Sequence, residues 1–238
     1  MNGKIDIPWK SEEEFYNLHA YKLFSHSEFY HVAVLGNSAQ EFLQNIIKRA
    51  RIEPGAKILD LGCGSGYLVN ELRKIGNACG ISTSSECIRF CQEKYPLSRY
   101  ELGNMESFDE KGLTHVIALE SLGYADPEKT LINIFSNLDP GGYFYIKEWC
   151  RYEHESMAQS INREIFEDYW KYYPKTVLDM IQIATQCGFE LIEFHDLTGK
   201  TNYDLFMETV PLHLCEFSLP FPKIWIGLAA EFLLRKPE

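Results

Sequence analysis

Three glycines at alternate positions follow directly after a short apolar segment that carries an acid. The segment is Ile58-Leu59-Asp60-Leu61, and the loop after it reads Gly62-Cys63-Gly64-Ser65-Gly66. Glycines let the backbone turn sharply and approach a ligand closely, so this spacing predicts a strand, a ligand-binding loop and the start of a helix. In dinucleotide-binding loops the third glycine comes three positions after the second. Here it comes two positions after, and an acid precedes the loop, which favours a different ligand.

Polar side chains also follow the apolar segments further along the chain. Tyr124 follows the fourth predicted strand and Glu148 ends the fifth. The carboxyl ends of parallel strands meet at one edge of an open sheet, where ligands bind. We therefore expect these side chains to lie near the glycine loop and to form one site with it.

The elements that must position these residues alternate between strands and helices, which predicts βαβ units and a parallel, doubly wound α/β sheet. The predicted strands are Lys57–Leu61, Ala78–Ile81, Tyr100–Leu102, Thr114–Leu119, Gly142–Lys147, Phe189–Phe194 and Glu231–Arg235. The predicted helices lie within Ser11–Ala50, from Tyr67 onwards, and at Ser84–Tyr95, Pro127–Leu138, Glu153–Tyr173 and Val177–Cys187.

The whole chain is expected to form a single domain. Residues 1–50 would form a helical cap, 51–150 the ligand-binding core, and 151–238 a helical insert after the fifth strand followed by the last two strands. The stretch 199–223 contains three prolines and is expected to be loop with a little helix.

The composition excludes several classes of function. The net charge is −11 and no Lys/Arg cluster is longer than a pair, so a nucleic-acid partner is not expected. The amino terminus lacks the apolar core of a signal peptide, and the most apolar stretch, 224–230, is too short to span a bilayer, which favours a cytoplasmic protein. The seven cysteines are scattered, so neither a metal site nor a disulfide framework is expected.

The string Asp60-Leu61-Gly62-Cys63-Gly64-Ser65-Gly66 resembles the first motif of class I S-adenosylmethionine-dependent methyltransferases. The resemblance covers about residues 51–194 and the last strand. It implies a Rossmann-like, seven-stranded sheet with an antiparallel last strand, and S-adenosylmethionine as the cofactor. The loop of such enzymes cradles the methionine part of the cofactor. The cofactor-binding residues implied here are Tyr21, Asp60, Gly62, Cys63, Gly64, Gly66, Ser82, Thr83, Asn104, Met105 and Glu120.

Two positions depart from the common pattern of that family. Ser82 stands where most members have a carboxylate that takes both ribose hydroxyls, and a serine makes only one such bond at a time. Asn104 stands where aspartate commonly faces the adenine amino group, and its side-chain carbonyl remains an acceptor. The Gly80-Ile81-Ser82 string is similar to a subgroup that contains sterol C-methyltransferases, phosphoethanolamine N-methyltransferases, cyclopropane fatty-acid synthases and sugar O-methyltransferases.

Two residues are candidates for catalysis. Glu148 is placed to act as a base or to orient the acceptor, and Tyr124 to donate a hydrogen bond. A solvated strand-end acid and a packed aromatic ring are the alternatives. Tyr21, and less strongly Tyr30, could cap the cofactor carboxylate as tyrosines in this region of relatives do; helix packing is the alternative for both.

The resemblance therefore implies an enzyme that transfers a methyl group to a small-molecule acceptor, with oxygen or nitrogen favoured and carbon possible. Two alternatives stay open at this point. The chain could bind the cofactor without transfer, as a regulatory module, or use the bound sulfonium to assist a cyclisation or rearrangement. The acceptor and the oligomeric state do not follow from the sequence.

Overall fold

The protein was analysed as a computed structural model, in which residues 9–26, 38–198 and 227–238 are described. The helices are α1 (Glu12–His26), α2 (Ala39–Arg49), α3 (Tyr67–Leu72), α4 (Ser85–Lys94), α5 (Pro127–Asn137), α6 (Met157–Trp170) and α7 (Val177–Gln186). The strands are β1 (Lys57–Leu61), β2 (Asn77–Ser82), β3 (Arg99–Leu102), β4 (Leu113–Leu119), β5 (Leu138–Arg151), β6 (Glu190–Asp196) and β7 (Gly227–Arg235). A 3₁₀ turn, Leu122–Tyr124, follows β4.

In the described part of the chain the strands form one sheet in the order β3-β2-β1-β4-β5-β7-β6. Strands β1 to β5 are parallel, and β7 lies antiparallel between β5 and β6. The strand order reverses between β1 and β4, which leaves a crevice at their carboxyl ends. This confirms the predicted α/β class and the antiparallel last strand.

Apolar side chains cover both faces of the sheet, as expected for strands that alternate with helices. One core cluster contains Ile58, Tyr145 and Leu233 and packs under α1 to α4. The other contains Leu59, Phe144 and Phe232 and packs against α5 and α7. Residues that are neighbours in a strand therefore belong to opposite faces of the sheet. The polar residues near the strand ends are likewise divided between the two faces.

The helix ends follow the local capping chemistry. Ser11 accepts a hydrogen bond from the backbone N–H of Glu14, at 3.2 Å, where the sequence predicts a helix start. Helix α6 begins at a capping box, in which Ser156 and Gln159 bond each other's backbone, and it ends where Lys171 adopts a left-handed φ of 57°. The insert helix is therefore shorter than the predicted Glu153–Tyr173.

Strand β5 is longer than the predicted Gly142–Lys147. Its last residues, Glu148 to Arg151, pair with Ala230 to Gly227 of β7, and this long-range pairing leaves no local pattern in the sequence. Among the described residues no helix has the length and apolarity needed to cross a membrane. The predicted loop 199–223 and Tyr30 lie outside the described residues. The division into a cap, a core and an insert remains a prediction.

Candidate functional site

The glycine loop lies at the carboxyl end of β1 with all three glycines at positive φ. The angles are 74° at Gly62, 49° at Gly64 and 76° at Gly66. A Cβ at Gly62 would lie 2.7 Å from the Cβ of Ser121, and one at Gly66 would lie 2.8 Å from the sulfur of Cys91. A Cβ at Gly64 would meet nothing closer than 3.9 Å. Gly62 and Gly66 thus serve the packing of the loop, whereas Gly64 leaves room for a ligand to approach the backbone.

Hydrogen bonds hold the loop against β2 and α4. The N–H groups of Gly62 and Cys63 both donate to the carbonyl of Ile81 at 3.0 Å, and the thiol of Cys91 donates to the carbonyl of Gly64 at 3.2 Å. The side chain of Cys63 is buried, and a hydrogen bond with Cys91, together with burial, raises its thiol pKa well above the ordinary value. The thiol is therefore packed below the loop, so Cys63 offers a ligand its backbone.

Asp60 precedes this loop and is a buried carboxylate without a partner among the described residues. Its side chain is 4% exposed, and it forms no hydrogen bond or ion pair with any residue in the described ranges. Burial raises the pKa of Asp60 from 3.8 to about 7, because a charged group is poorly solvated there. Buried acids are normally hydrogen-bonded or paired, so this position fits a ligand that brings a positive charge to the loop.

The end of β2 is covered by α1. Thr83 donates a hydrogen bond from its hydroxyl to the carboxylate of Glu12, at 2.8 Å, and Ser84 donates to the side-chain carbonyl of Asn17, also at 2.8 Å. Ser82 is buried, and its hydroxyl accepts the N–H of Ser84 at 3.1 Å. Burial raises the pKa of Glu12, and the bond from Thr83 opposes that shift. The predicted cofactor residues Ser82 and Thr83 therefore lie under the first helix.

Tyr21 lies on the outer side of this interface. Its hydroxyl donates to the carboxylate of Glu93 at 2.9 Å and accepts from Arg89 at 3.0 Å, both on α4. Its ring packs edge-on against Phe90. The Tyr21 side chain therefore contacts α4 and not the glycine loop. This is the arrangement expected if Tyr21 serves helix packing. Its role at the cofactor carboxylate remains a prediction.

The loop after β3 carries the predicted adenine contacts. Asn104 is exposed, and its side-chain carbonyl accepts the N–H of Glu106 at 2.8 Å. Met105 packs against the core cluster on the α5 side, and its carbonyl accepts a bond from Asn133 at 3.3 Å. The N–H of Gly103 donates to Ser82 at 2.9 Å, which ties this loop to the end of β2. The loop thus borders the crevice, and the adenine contacts of Asn104 and Met105 remain predictions.

Glu120 occupies a strained position at the end of β4. Its φ is 54°, a conformation that a residue with a side chain rarely adopts outside functional or tightly constrained sites. Its N–H donates to the carbonyl of Lys147 at 2.8 Å, and its carboxylate forms an ion pair with the Lys147 ammonium. The next residue, Ser121, donates its hydroxyl to the carbonyl of Leu61 at 2.7 Å. Glu120 is therefore fixed beside the glycine loop.

Lys147 was not predicted from the sequence as a residue of this site. Its side chain is fully buried and its ammonium lies 4.5 Å from the centre of the Trp149 ring. It stands opposite Glu231 in the β5–β7 pair, and Glu231 accepts bonds from Tyr145 and Arg49. Burial lowers the pKa of Lys147, and the carboxylates of Glu148 and Glu231 oppose that shift. A lysine within an otherwise apolar strand was the signal that could have revealed the ion pair between Lys147 and Glu120.

Glu148 is buried and bound by three donors. One carboxylate oxygen accepts the N–H of Leu122 at 2.9 Å, and the other accepts the N–H of Trp149 at 3.0 Å and the hydroxyl of Tyr172. Burial raises its pKa to about 7, although the two backbone bonds oppose the shift. The carboxylate thus joins the end of β5 to the turn after β4 and to Tyr172. With 3% of its surface exposed, it is not the solvated strand-end acid of the alternative.

Aromatic rings surround Tyr124 and Glu148. The ring of Tyr124 packs edge-on against Tyr172 at 5.0 Å and against Tyr16 of α1 at 6.2 Å. Phe166 of α6 lies 5.9 Å from Tyr172, and Trp170 lies 5.1 Å from Phe15. Helices α1 and α6 therefore enclose this end of the crevice with apolar, π-rich surface. Sequence reasoning missed Tyr16 and Tyr172 because aromatic residues are frequent throughout the chain.

Removing the Tyr172 hydroxyl is expected to destabilise the protein, because it leaves the buried Glu148 carboxylate with one donor fewer. We expect Tyr172→Phe to lower the free energy of unfolding by about 1–3 kcal/mol in urea denaturation. Tyr173→Phe is the matched control, since Tyr173 is 51% exposed, and it should change that free energy by less than about 0.5 kcal/mol. Equal changes in the free energy of unfolding for the two variants would contradict the hydrogen bond between Tyr172 and Glu148.

Residues 36–193 match the family model described as a methyltransferase domain. The chain belongs to this methyltransferase family. Among curated proteins, the sterol 24-C-methyltransferase erg6 of Schizosaccharomyces pombe is 27% identical over 198 residues, which cover 76% of this chain and 52% of that protein. The chain spans about half the length of the sterol methyltransferases it matches.

Solved structures confirm the fold. The [4+2]-cyclase SpnF superposes with a TM-score of 0.75 at 17% identity, and the match covers 97% of this chain and 98% of that one. A phosphoethanolamine N-methyltransferase from Haemonchus contortus, in complex with S-adenosyl-L-methionine, gives a TM-score of 0.72 at 17% identity, with 97% and 61% covered. At these identities the structures share the fold only.

Family membership confirms that the motif belongs to a methyltransferase domain, with S-adenosylmethionine as its cofactor. The residues present fit that cofactor. Asp60 is a buried carboxyl group, unpartnered among the described residues, that could bind the methionine ammonium, and Gly64 leaves space at the loop for the methionine backbone. Among the described residues no group of His, Cys, Asp and Glu could hold a metal ion.

Proposed function

We propose that this protein transfers the methyl group of S-adenosylmethionine to a small, largely apolar acceptor. The observation that carries the proposal is Asp60, a buried carboxylate that has no partner in the described ranges and precedes a loop with room at Gly64. Bound S-adenosylmethionine supplies a methyl group activated by its sulfonium. Asp60 would hold the methionine ammonium, and the glycine loop would approach the methionine backbone.

The acceptor would bind where α1 and α6 meet the turn after β4. Tyr16, Phe166 and Tyr172 supply apolar surface there, and Tyr124 lies between α1 and Tyr172. Aromatic surface favours an apolar or cationic group over a strongly anionic one. The net charge of −11 likewise supports a small molecule rather than a nucleic acid as the acceptor. Sterol and phosphoethanolamine methyltransferases among the similar proteins show that carbon and nitrogen acceptors both occur on this fold.

For transfer to oxygen or nitrogen, we propose that Glu148 and Tyr124 handle the acceptor's proton and orientation. The raised pKa of Glu148, about 7, suits a group that exchanges a proton near neutral pH. Its three donors also give it a positioning role, because it fixes Tyr172 beside Tyr124. Once an acceptor is known, a loss of turnover below about tenfold in Glu148→Gln, with cofactor binding intact, would argue against proton transfer by this residue.

Calorimetric titration with S-adenosylhomocysteine tests the cofactor assignment. We expect micromolar binding by the natural protein and none by Gly64→Arg. A Cβ at Gly64 would meet nothing closer than 3.9 Å, so the arginine side chain would fill the ligand's place, although the φ of 49° makes any side chain there strained. Circular dichroism of the variant provides the folding control. Absence of binding by the natural protein would overturn the proposal.

The same preparation separates transfer from the two alternative uses of the cofactor. Mass spectrometry of candidate acceptors incubated with S-adenosylmethionine should reveal a product heavier by one methyl group. A product without added mass would indicate a cyclisation or rearrangement. Cofactor binding with no product across a broad set of acceptors would favour a regulatory module.

A further inference from the structure

The carboxyl end of β2 offers no acid from its own strand or from the turn that follows. Ser82 is buried, and its hydroxyl already accepts the N–H of Ser84. The carboxylate of Glu86 is 29% exposed and forms an ion pair with Arg89 of α4. In the sheet, Glu101 of β3 pairs likewise with Arg99. A ligand with two vicinal hydroxyls at this strand end would contact the hydroxyls of Ser82 and Thr83. It would have no unpaired carboxylate from Glu86 or Glu101 beside it, because these acids pair with arginines.

Helix α1 brings a carboxylate to this strand end from elsewhere in the chain. The Oε2 atom of Glu12 accepts the Thr83 hydroxyl at 2.8 Å, and Oε1 has no hydrogen bond to any residue that the structure describes. The side chain is largely buried between α1 and the β2–α4 turn. A carboxylate offers about four acceptor positions, so one bond from Thr83 leaves Glu12 able to accept two more hydroxyls.

The placement of Glu12 is maintained by neighbouring contacts on the same helix. One turn further on, the Asn17 carbonyl accepts the Ser84 hydroxyl at 2.8 Å and the N–H of Glu86 at 3.4 Å. Phe15, three residues after Glu12, is buried against Trp9 and Trp170, which anchors this part of α1. The contacts of Asn17 and Phe15 therefore hold the Glu12 carboxylate at the end of β2.

A second observation, at Asp60, indicates that a ligand binds beside Glu12. Asp60, 4% exposed and unpartnered in the described structure, pairs in register with Gly80, two residues before Ser82. Asp60 alternates with Leu59 and Leu61, which belong to the α5 side, so it faces the α1 to α4 side. Asp60 of β1 and Glu12, which is bonded to Thr83 after β2, are thus two carboxylates with unused acceptor capacity beside neighbouring strands. A ligand that carries a cation and a separate hydroxyl pair would satisfy both.

We propose that Glu12 is the residue that binds the ribose hydroxyls of the cofactor, supplied by the first helix in place of a strand-end acid. This inference rests on the proposed function, because it requires S-adenosylmethionine in the crevice. Glu12 would accept one bond from each of the 2′ and 3′ hydroxyls while Thr83 keeps its bond to Oε2. Asp60 would take the ammonium at the other end of the same ligand. The site would then select nucleosides with an intact ribose diol.

A double-mutant cycle between protein and ligand tests this assignment. Calorimetry would compare S-adenosylhomocysteine with its 2′,3′-dideoxy analogue on the natural protein, on Glu12→Gln and on Glu13→Gln. Glu13 is exposed on the same helical turn, so its variant has the same change of charge without the contact. We expect Glu12→Gln to weaken S-adenosylhomocysteine binding by about tenfold or more and to leave the dideoxy analogue's affinity unchanged. Glu13→Gln should alter neither affinity.

Each other outcome has a distinct meaning. If the natural protein does not bind S-adenosylhomocysteine, the proposed function fails and the assignment of Glu12 fails with it. If binding is normal but Glu12→Gln has no effect, the function stands and Glu12 is not the ribose ligand. If Glu12→Gln weakens both ligands equally, Glu12 acts only by docking α1, which also overturns the proposal. Thermal unfolding of the variant confirms that it is folded in each comparison.

Discussion

Asp60→Asn is expected to bind S-adenosylhomocysteine about 10- to 100-fold more weakly than the natural protein and yet to be more stable. The buried carboxylate would form a charge-assisted hydrogen bond with the ligand, and such bonds contribute about 1.5–3 kcal/mol. Asparagine keeps the size of the side chain but loses its charge. Calorimetry measures the affinity, and urea unfolding of the ligand-free protein measures the stability.

The gain in stability follows from the raised pKa of Asp60. The folded protein holds this proton up to about pH 7, whereas the unfolded chain releases it near the ordinary value of 3.8. Between these values the folded state binds more protons than the unfolded state, so stability falls as the pH rises, and it levels off above about 7. A tenfold difference in proton affinity between the two states corresponds to about 1.36 kcal/mol at most. We expect Asp60→Asn to be more stable by about 2–4 kcal/mol at pH 8 and to lose this advantage near pH 4.

Asp109→Asn is the control for the Asp60 experiment. Its side chain is 83% exposed, so the same chemical change should alter the free energy of unfolding by less than about 0.5 kcal/mol at either pH. A stability difference for Asp60→Asn that does not depend on pH would contradict the raised pKa of Asp60. Unchanged affinity would remove Asp60 from the cofactor site.

Lys147→Met is expected to be among the most destabilising single substitutions in the chain. Methionine has a similar length but no charge, and it leaves the carboxylate of Glu120 without the Lys147 ammonium, while Glu231 keeps its ion pair with Arg49. Removal of one partner from a buried ion pair costs about 3–5 kcal/mol, because the remaining charge stays poorly solvated. Urea unfolding should show this loss. Lys111→Met is the control, since Lys111 is 65% exposed and pairs only weakly with Asp109, at 3.5 Å.

A second substitution should recover part of that loss. In Lys147→Met with Glu120→Gln, no unpaired charge remains at the end of β4, so the double variant should be more stable than the sum of the two single effects predicts. A coupling of about 1–3 kcal/mol is expected for groups in direct contact. Strict additivity would show that the Glu120–Lys147 pair contributes nothing to the folded state. The strained φ of Glu120 would then need another cause.

Local chemistry explains which parts of the structure the sequence predicts well. The β1 strand and the three glycines were predicted correctly because an apolar run and positive φ values are local requirements. The helix starts at Ser11 and Ser84 follow from caps that act within one turn. These features need no knowledge of what lies far away in the chain.

The missed features depend on partners distant in sequence. Lys147 becomes part of the site only because β7 returns between β5 and β6 and places Glu231 opposite it. Glu12 resembles an ordinary acid in a helix's first turn until α1 docks on Thr83. Tyr172 lies in the segment between α6 and α7, where no periodicity indicates that its hydroxyl reaches Glu148. Tertiary contacts, rather than propensity, decide each of these cases.

Helix α1 touches both ends of the crevice. Glu12 bonds Thr83 at the end of β2, while Tyr16 packs on Tyr124 beside β4, and the indole of Trp9 donates to the carbonyl of Tyr169 on α6 at 2.7 Å. Any displacement of this helix on ligand binding would change the contacts of Glu12 and of Tyr16 together. Occupancy of one end would then be coupled to occupancy of the other, and by thermodynamic reciprocity each ligand would alter the other's affinity by the same factor. Synergistic binding of the two substrates is the kinetic form this coupling would take.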